Sequence, residues 1–115
     1  MEATDGGPNA AIDFVGAPAT CGFAVQALAK GASLVVVGLF GGAMPLPVAM
    51  LPLKYISLLG SYVGTLQELH ELMALVRDGK TKPIPIIKRP LSEAPQAIQD
   101  LREGKAVGRY VLTNF

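Results

Sequence analysis

Short apolar runs that end in or beside a glycine recur through the first half of the chain. The three runs cover residues 11–16, 33–38 and 56–61. Because apolar side chains fill them without strict alternation with polar ones, they indicate strands that are buried on both faces, as in parallel sheets. We expect strands over residues 11–15, 33–38 and 55–60, which predicts a parallel α/β sheet for this half of the chain.

Helical periodicity separates these strands. A helix is predicted over residues 19–30, with Thr20 as its cap. A second helix has stronger signals, because Thr65 and Glu68 have the spacing of a capping box and the apolar residues after them recur at i, i+3, i+4 and i+7. Gly79 is expected to end this helix. A strand, a helix and a strand at such spacing form a right-handed βαβ unit.

Residues 44–53 interrupt this pattern with three prolines among apolar residues. Proline lacks an amide hydrogen and fixes φ, so we expect neither a helix nor a central strand there. An irregular apolar segment of this kind indicates an interface, since Leu46, Val48, Met50 and Leu51 would otherwise be partly exposed to water.

The last part of the chain follows a linker that two prolines make stiff. We place a domain boundary near Pro85, after which residues 86–88 have the pattern of a short strand. Ser92 is the predicted cap of a third helix that ends near Glu103. Residues 109–112 form the predicted last strand.

Composition excludes several classes of protein. The net charge of +1 gives no electrostatic basis for nucleic-acid binding. The first residues are polar and acidic, so no signal peptide is predicted. The longest apolar stretch, at residues 44–53, is far too short to span a bilayer. One cysteine cannot form an internal disulfide, which is typical of a reducing cytoplasm. We therefore expect a cytoplasmic protein without a nucleic-acid or membrane partner.

The candidate binding site lies where the predicted strands end. In doubly wound sheets, ligands bind beyond the carboxyl ends of the strands, and small turn residues there let a flat ring or a ribose approach the backbone. The residues at the three ends are Phe14, Val15, Gly16, Gly38, Leu39, Phe40, Ser61, Tyr62 and Val63. Glycines 41 and 42 lead into prolines instead of a helix, so they do not form a phosphate loop.

No catalytic or metal-binding set of side chains stands out in the sequence. A zinc site needs three or four cysteine, histidine or carboxylate ligands, and the chain has one histidine, His70, and one cysteine, Cys21. Cys21 could be a reactive thiol at a helix N-terminus, but a small half-buried residue is the favoured interpretation. His70 could be a base, but its neighbours Glu68 and Glu71 favour a solvated histidine. We predict neither a catalytic residue nor a metal ligand.

Four segments then occur in order and at matching intervals, namely residues 11–16, 34–42, 56–65 and 108–112. Together they resemble the C-terminal part of zinc-dependent medium-chain alcohol dehydrogenases. The resemblance implies half of a Rossmann doubly wound parallel sheet, strands 4, 5 and 6 of the family order, with a C-terminal return helix and strand. Residues 1–85 would be the second half of the dinucleotide-binding domain, and residues 86–115 would belong to the GroES-like catalytic domain.

The resemblance also implies a role for the strand ends. They would line the nicotinamide and its ribose in NAD or NADP, and Arg109 would reach the cofactor pyrophosphate. Residues 44–53 would form a subunit interface, so that the protein is a homo-oligomer held there and by the unpaired strand edge at residues 11–15. The family's zinc ligands, structural-zinc cysteines and glycine-rich phosphate loop have no counterpart in this sequence.

Two functional interpretations follow from this resemblance. The first is a truncated NAD(P)-dependent alcohol dehydrogenase, which interconverts alcohols and aldehydes by hydride transfer in its complete form and is inactive alone. The second is a non-catalytic remnant of that fold that forms oligomers or binds a partner. Because the phosphate loop is missing, we expect very weak cofactor affinity in either case.

Overall fold

Three short parallel strands form the centre of the first half of the chain, in a computed structural model that describes residues 4–114. They are β1 (Ala10–Asp13), β2 (Ser33–Val36) and β3 (Ser57–Gly60), in the order β1-β2-β3. The register places Leu34 of β2 beside Ala11 on one side and Leu58 on the other. The predicted strands are confirmed, although each is shorter than expected.

The hydrophobic core of this half lies on one face of β2. Helix α1 (Pro18–Ala27) packs there. The buried apolar residues of this cluster are Val25, Leu28, Ala32, Leu34 and Ile56. Strand β3 is exposed at every residue, and Ile12 of β1 is 59% exposed. The expectation of strands buried on both faces is therefore wrong for these residues, because α1 packs against β1 and β2 while both faces of β3 remain exposed.

Helix α1 begins before the predicted cap. Ala17 is the N-cap, and Pro18 occupies the first helical position, where a missing amide hydrogen is tolerated. Thr20 therefore lies inside the first turn, and its prediction as the cap is wrong. Its hydroxyl oxygen accepts a hydrogen bond from the Ala17 amide at 3.2 Å, so it still satisfies one of the free donors at this end of the helix.

Helix α2 (Met50–Lys54) begins inside the proline-rich segment at residues 44–53 and ends one residue beyond it. The expectation that the prolines exclude a helix there is wrong. Pro52 is the third helical residue, and the first amides of a helix have no intrahelical acceptor, so a proline fits at that position. The helix is only five residues long, which leaves the rest of the segment irregular.

The apolar side chains of residues 44–53 divide between the core and the surface. Leu46, Met50 and Leu51 pack against the core cluster. Val48 is 82% exposed. Most of the apolar side chains on which the interface prediction rests therefore pack within this chain. An interface at this segment would depend on the side chains that stay exposed, such as Val48.

Lys54 joins α2 to the end of α1. Its ammonium group donates to the carbonyl oxygens of Val25 at 3.0 Å, Gln26 at 2.9 Å and Leu28 at 3.2 Å. The last carbonyls of a helix lack intrahelical donors and carry the negative end of the helix dipole. A lysine that is distant in sequence therefore caps the C-terminus of α1.

The chain divides after Gly64 into two compact units. The second unit contains α3 (Leu66–Arg77), β4 (Ile86–Pro90), α4 (Ala94–Arg102) and β5 (Arg109–Thr113), and β4 pairs with β5 in parallel. The predicted C-terminal helix and strands are confirmed, whereas the assignment of a family domain boundary near Pro85 stays a prediction. Among residues 4–114, the structure contains no helix with the length and hydropathy of a membrane span.

The helix caps observed in the second unit agree only in part with those predicted from the sequence. The capping box is confirmed, because Thr65 accepts from the Glu68 amide at 3.2 Å and Glu68 accepts from the Thr65 amide at 2.6 Å. Gly79 follows α3 with a φ of 67°, as expected for a glycine stop. Ser92 lies in a 3-10 turn, and Glu93 is the N-cap of α4. The prediction of Ser92 as the cap is therefore wrong.

A polar cluster fixes the C-terminal strands against α4. Arg89 forms an ion pair with Asp100 at 3.0 Å and lies 4.1 Å from the centre of the Tyr110 ring. Hydrogen bonding from Gln96, together with the nearby Arg89 charge, lowers the pKa of Asp100. Since Asp100 is buried, the cluster holds a charge that these partners compensate. It thereby fixes the strand on which Arg109 lies.

Candidate functional site

The carboxyl ends of the three parallel strands meet in the first unit. The Phe40 amide donates to the Val15 carbonyl at 3.0 Å, which joins the first two strand ends. The Ser61 amide donates to the Val36 carbonyl at 3.0 Å and joins the third to the second. The structure therefore places the three strand ends side by side at one edge of the sheet, and the nine residues predicted there follow these strands in the chain. We call residues 14–16, 38–40 and 61–63 the strand-end surface.

Two glycines allow the first two strand ends to touch. A Cβ on Gly16 would lie 1.9 Å from the Gly38 oxygen, and a Cβ on Gly38 would lie 2.1 Å from the Val15 carbonyl carbon. Gly16 also has a φ of 70°, which side chains disfavour. The space that these glycines leave open is therefore filled by the neighbouring backbone. Their role toward a cofactor stays a prediction.

The side chains of the strand-end surface face solvent. Phe14, Leu39, Phe40 and Tyr62 are all at least 74% exposed. Val63 is equally open and has a φ of 46°, a strained backbone conformation for a β-branched residue. Strain of this kind concentrates at ligand-binding positions. The surface is thus apolar and available for contact with a flat ligand.

Asp13 organises this surface, and the sequence reasoning missed it. The carboxylate is buried and accepts hydrogen bonds from the Val15 amide at 2.8 Å, the Gly16 amide at 3.1 Å, the Thr20 hydroxyl at 2.7 Å and the Cys21 thiol at 3.0 Å. These donors, the Cys21 thiol first among them, hold the pKa of Asp13 far below its ordinary value. A carboxylate that ends an apolar strand three residues before a turn glycine, Gly16, is a sequence signal for this role.

Cys21 is half-buried, as expected. Its hydrogen bond to the Asp13 carboxylate raises the pKa of its thiol, and partial burial adds to that shift. A raised pKa keeps the group protonated, which disfavours the reactive thiolate. His70 lies exposed on α3, in agreement with a solvated histidine.

Arg109 lies in the second unit, at the first position of β5. Its amide donates to the Pro85 carbonyl at 2.8 Å, which joins the linker to the strand. The residue lines an open cavity of about 910 Å³ together with apolar side chains of α3 and β4. Its predicted contact with a cofactor pyrophosphate stays a prediction.

The sequence profile of zinc-binding dehydrogenases matches residues 1–78. The chain belongs to the zinc-binding dehydrogenase family. It is 36% identical to a NAD-dependent alcohol dehydrogenase of Sulfurisphaera tokodaii over 106 residues, and this alignment covers 92% of this chain and 30% of that protein. It is 37% identical over 111 residues to a D-arabinose 1-dehydrogenase (NADP(+)) of Saccharolobus solfataricus, covering 96% of this chain and 32% of that protein.

A solved structure of an alcohol dehydrogenase shares the fold. The alcohol dehydrogenase of Aeropyrum pernix aligns with a TM-score of 0.86 at 35% identity, over 97% of this chain and 32% of that one. The predicted mixed α/β fold with a Rossmann-like half sheet is therefore confirmed. The chain spans about a third of the length of the relatives that it matches.

The family is named for zinc binding, but the described residues contain no set of side chains that could bind zinc. Within residues 4–114, no three histidine, cysteine, aspartate or glutamate side chains come together as metal ligands. These residues therefore do not fit a zinc site. The strand-end surface, in contrast, carries three exposed aromatic side chains, those of Phe14, Phe40 and Tyr62, and such rings can contact a flat ligand.

Proposed function

We propose that this chain supplies the nicotinamide side of the cofactor site in an NAD(P)-dependent alcohol dehydrogenase of the zinc type. In its complete form that enzyme interconverts an alcohol and an aldehyde. The observation that carries the proposal is the meeting of three parallel strand ends at one exposed, apolar edge. Ligands of doubly wound sheets bind at this edge.

The residues of the strand-end surface would bind and orient the cofactor. Phe14, Phe40 and Tyr62 offer exposed rings that can contact the nicotinamide. When bound, the nicotinamide carries the hydride in such oxidoreductions. The two matched relatives named above use NAD and NADP by their names, which supports a dinucleotide as the ligand. We further propose that the chain acts as a truncated part of such an enzyme and is inactive alone.

Nicotinamide mononucleotide tests this proposal, because it carries the ring, ribose and one phosphate without the adenosine half. We expect its titration into the ¹⁵N-labelled chain to shift the amide signals of the strand-end surface at millimolar concentration, whereas AMP leaves them unchanged. Leu39→Glu should weaken these shifts, and Phe23→Glu is the matched control, because Phe23 is as exposed but lies on α1. Shifts confined to the second unit, or none at all, would overturn the proposal.

The exposed apolar residues favour a second role. In this role the chain is a cytoplasmic homo-oligomer that keeps the fold of the family but does not catalyse a reaction. We propose contacts through residues 44–53, where Val48 and Leu53 remain exposed, and through the free edge of β1. Size-exclusion chromatography with light scattering at micromolar concentration should show an oligomer that Val48→Glu weakens. A clean monomer would refute this role.

The chain is also expected to bind NAD(H) only weakly, and a micromolar dissociation constant measured by calorimetry would contradict this expectation.

A further inference from the structure

We propose that Asp13 is a positioning residue that fixes the first two strand ends for the nicotinamide, an inference that rests on the proposed function above. Asp13 is the last residue of β1 and only 7% exposed. Its carboxylate contacts the strand-end surface through the backbone amides of Val15 and Gly16. It acts through the residues that follow it and through the end of β2.

The two carboxylate oxygens of Asp13 hold two different elements. Oδ1 accepts from the amides of Val15 and Gly16, at 2.8 and 3.1 Å. Oδ2 accepts from the Thr20 hydroxyl and the Cys21 thiol, at 2.7 and 3.0 Å. One side chain therefore ties the first strand end to the first turn of α1. Hydrogen bonds to an ionised acceptor are about twice as strong as neutral ones.

The backbone of Asp13 holds the second strand end. Its carbonyl oxygen accepts from the Val37 amide at 2.9 Å and from the Gly38 amide at 3.0 Å. Gly38 in turn lies against the Val15 and Gly16 backbone. Two of the three segments of the strand-end surface thus bond to Asp13, in addition to the Phe40–Val15 hydrogen bond that joins them directly.

The first strand end also accepts backbone hydrogen bonds, from the Phe40 amide to the Val15 carbonyl at 3.0 Å and from the Gly41 amide to the Gly16 carbonyl at 3.2 Å, but its side chains hold it only weakly. Phe14 is 74% exposed and Val15 about half exposed, so their side chains add little packing. Gly16 has the conformational freedom of a residue without a Cβ. Ordering such a segment before the ligand arrives removes an entropic cost from binding. The Asp13 carboxylate contributes to that order through its bonds to the Val15 and Gly16 amides.

Residue-specific NMR tests the inference on the full chain. In Asp13→Ala, we expect the ¹⁵N heteronuclear NOEs of Val15 and Gly16 to fall and the dissociation constant for nicotinamide mononucleotide to rise about tenfold in the folded fraction. Asp13→Asn keeps one oxygen for the two amides, so the dissociation constant should rise by less than about threefold. This partial rescue separates positioning from a general loss of stability.

Thr20→Val is the matched control, because it removes a donor to Oδ2 and leaves Oδ1 in place. It should lower the stability of the first unit while the NOEs of Val15 and Gly16 and the dissociation constant stay within about twofold. If Asp13→Ala keeps wild-type NOEs and affinity, the inference is overturned.

The inference can also be tested if Asp13→Ala does not fold, and if the wild type binds no nicotinamide mononucleotide. If Asp13→Ala does not fold, hydrogen exchange in the wild type decides, since Val15 and Gly16 amides that exchange as fast as in a free peptide contradict the inference. If the wild type binds no nicotinamide mononucleotide, the proposed function fails. The NOEs of Asp13→Ala then still show whether Asp13 orders the strand end.

Discussion

Lys54→Met removes the ammonium group that caps α1 from a different helix. The methionine keeps much of the aliphatic stem, so packing changes little. Three hydrogen bonds to the carbonyls of Val25, Gln26 and Leu28 are lost. We expect the first unit to lose stability, because these carbonyls lie where α1 has no donors of its own.

The size of the loss follows from the geometry. A hydrogen bond to a charged group contributes about 1.5–3 kcal/mol, and a cation at a helix C-terminus about 0.3–1 kcal/mol. The three bonds share one ammonium group, and water can reach the exposed Gln26 carbonyl after the substitution, so their contributions do not add. We expect a loss of about 2 kcal/mol. For a unit of this size, that corresponds to a Tm about 8–16 °C lower.

Urea unfolding measures this loss of stability in the first unit alone when it is monitored through the amide signals of β2. Lys30→Met is the matched control, because Lys30 is exposed and lies just beyond α1. Lys54→Arg keeps the charge and should recover part of the stability. A Lys54→Met midpoint equal to that of Lys30→Met would refute the reasoning that these three bonds stabilise the helix end.

Three further changes test other parts of the structure. Thr65→Ala removes the cap of α3 and should cost about 1 kcal/mol, measured by hydrogen exchange of its first amides; unchanged exchange would show that the cap contributes nothing. Gly38→Ala should lower the urea midpoint of the first unit, because its Cβ would meet the Val15 carbonyl at 2.1 Å, whereas Gly60→Ala should be neutral or stabilising, since no atom lies within 4 Å; equal midpoints would contradict this close approach. The lowered pKa of Asp13 means that the unfolded chain takes up its proton first, so stability should fall as the pH drops below about 4, and an acid titration of Asp13→Asn should lack that part of the fall.

Features set by neighbouring residues could be predicted from the sequence. The capping box of Thr65 and Glu68 needs only a spacing of three residues, and the strand at residues 33–36 needs only a run of β-branched side chains. The strand ends could be placed at one edge because parallel strands have their carboxyl ends on the same side. These predictions depend on local rules that hold across folds.

Features set by distant contacts could not be predicted in this way. Lys54 caps a helix that lies 26 to 29 residues earlier in the chain. The Asp13 carboxylate also bonds to Thr20 and Cys21 of α1, seven and eight residues further along the chain, and these contacts depend on how α1 packs on β1. Pro52 is tolerated only because it is the third residue of α2, and where so short a helix begins cannot be predicted from its own residues.

The hydrogen bond between Cys21 and Asp13 has a practical consequence for labelling. Cys21 is the single cysteine of the sequence, and the neighbouring carboxylate raises the pKa of its thiol. Maleimides and similar reagents attack the thiolate, so the native cysteine should react slowly at neutral pH. A cysteine introduced at the exposed Ser61 could then carry a fluorescent probe beside the strand ends, with the native thiol left in place.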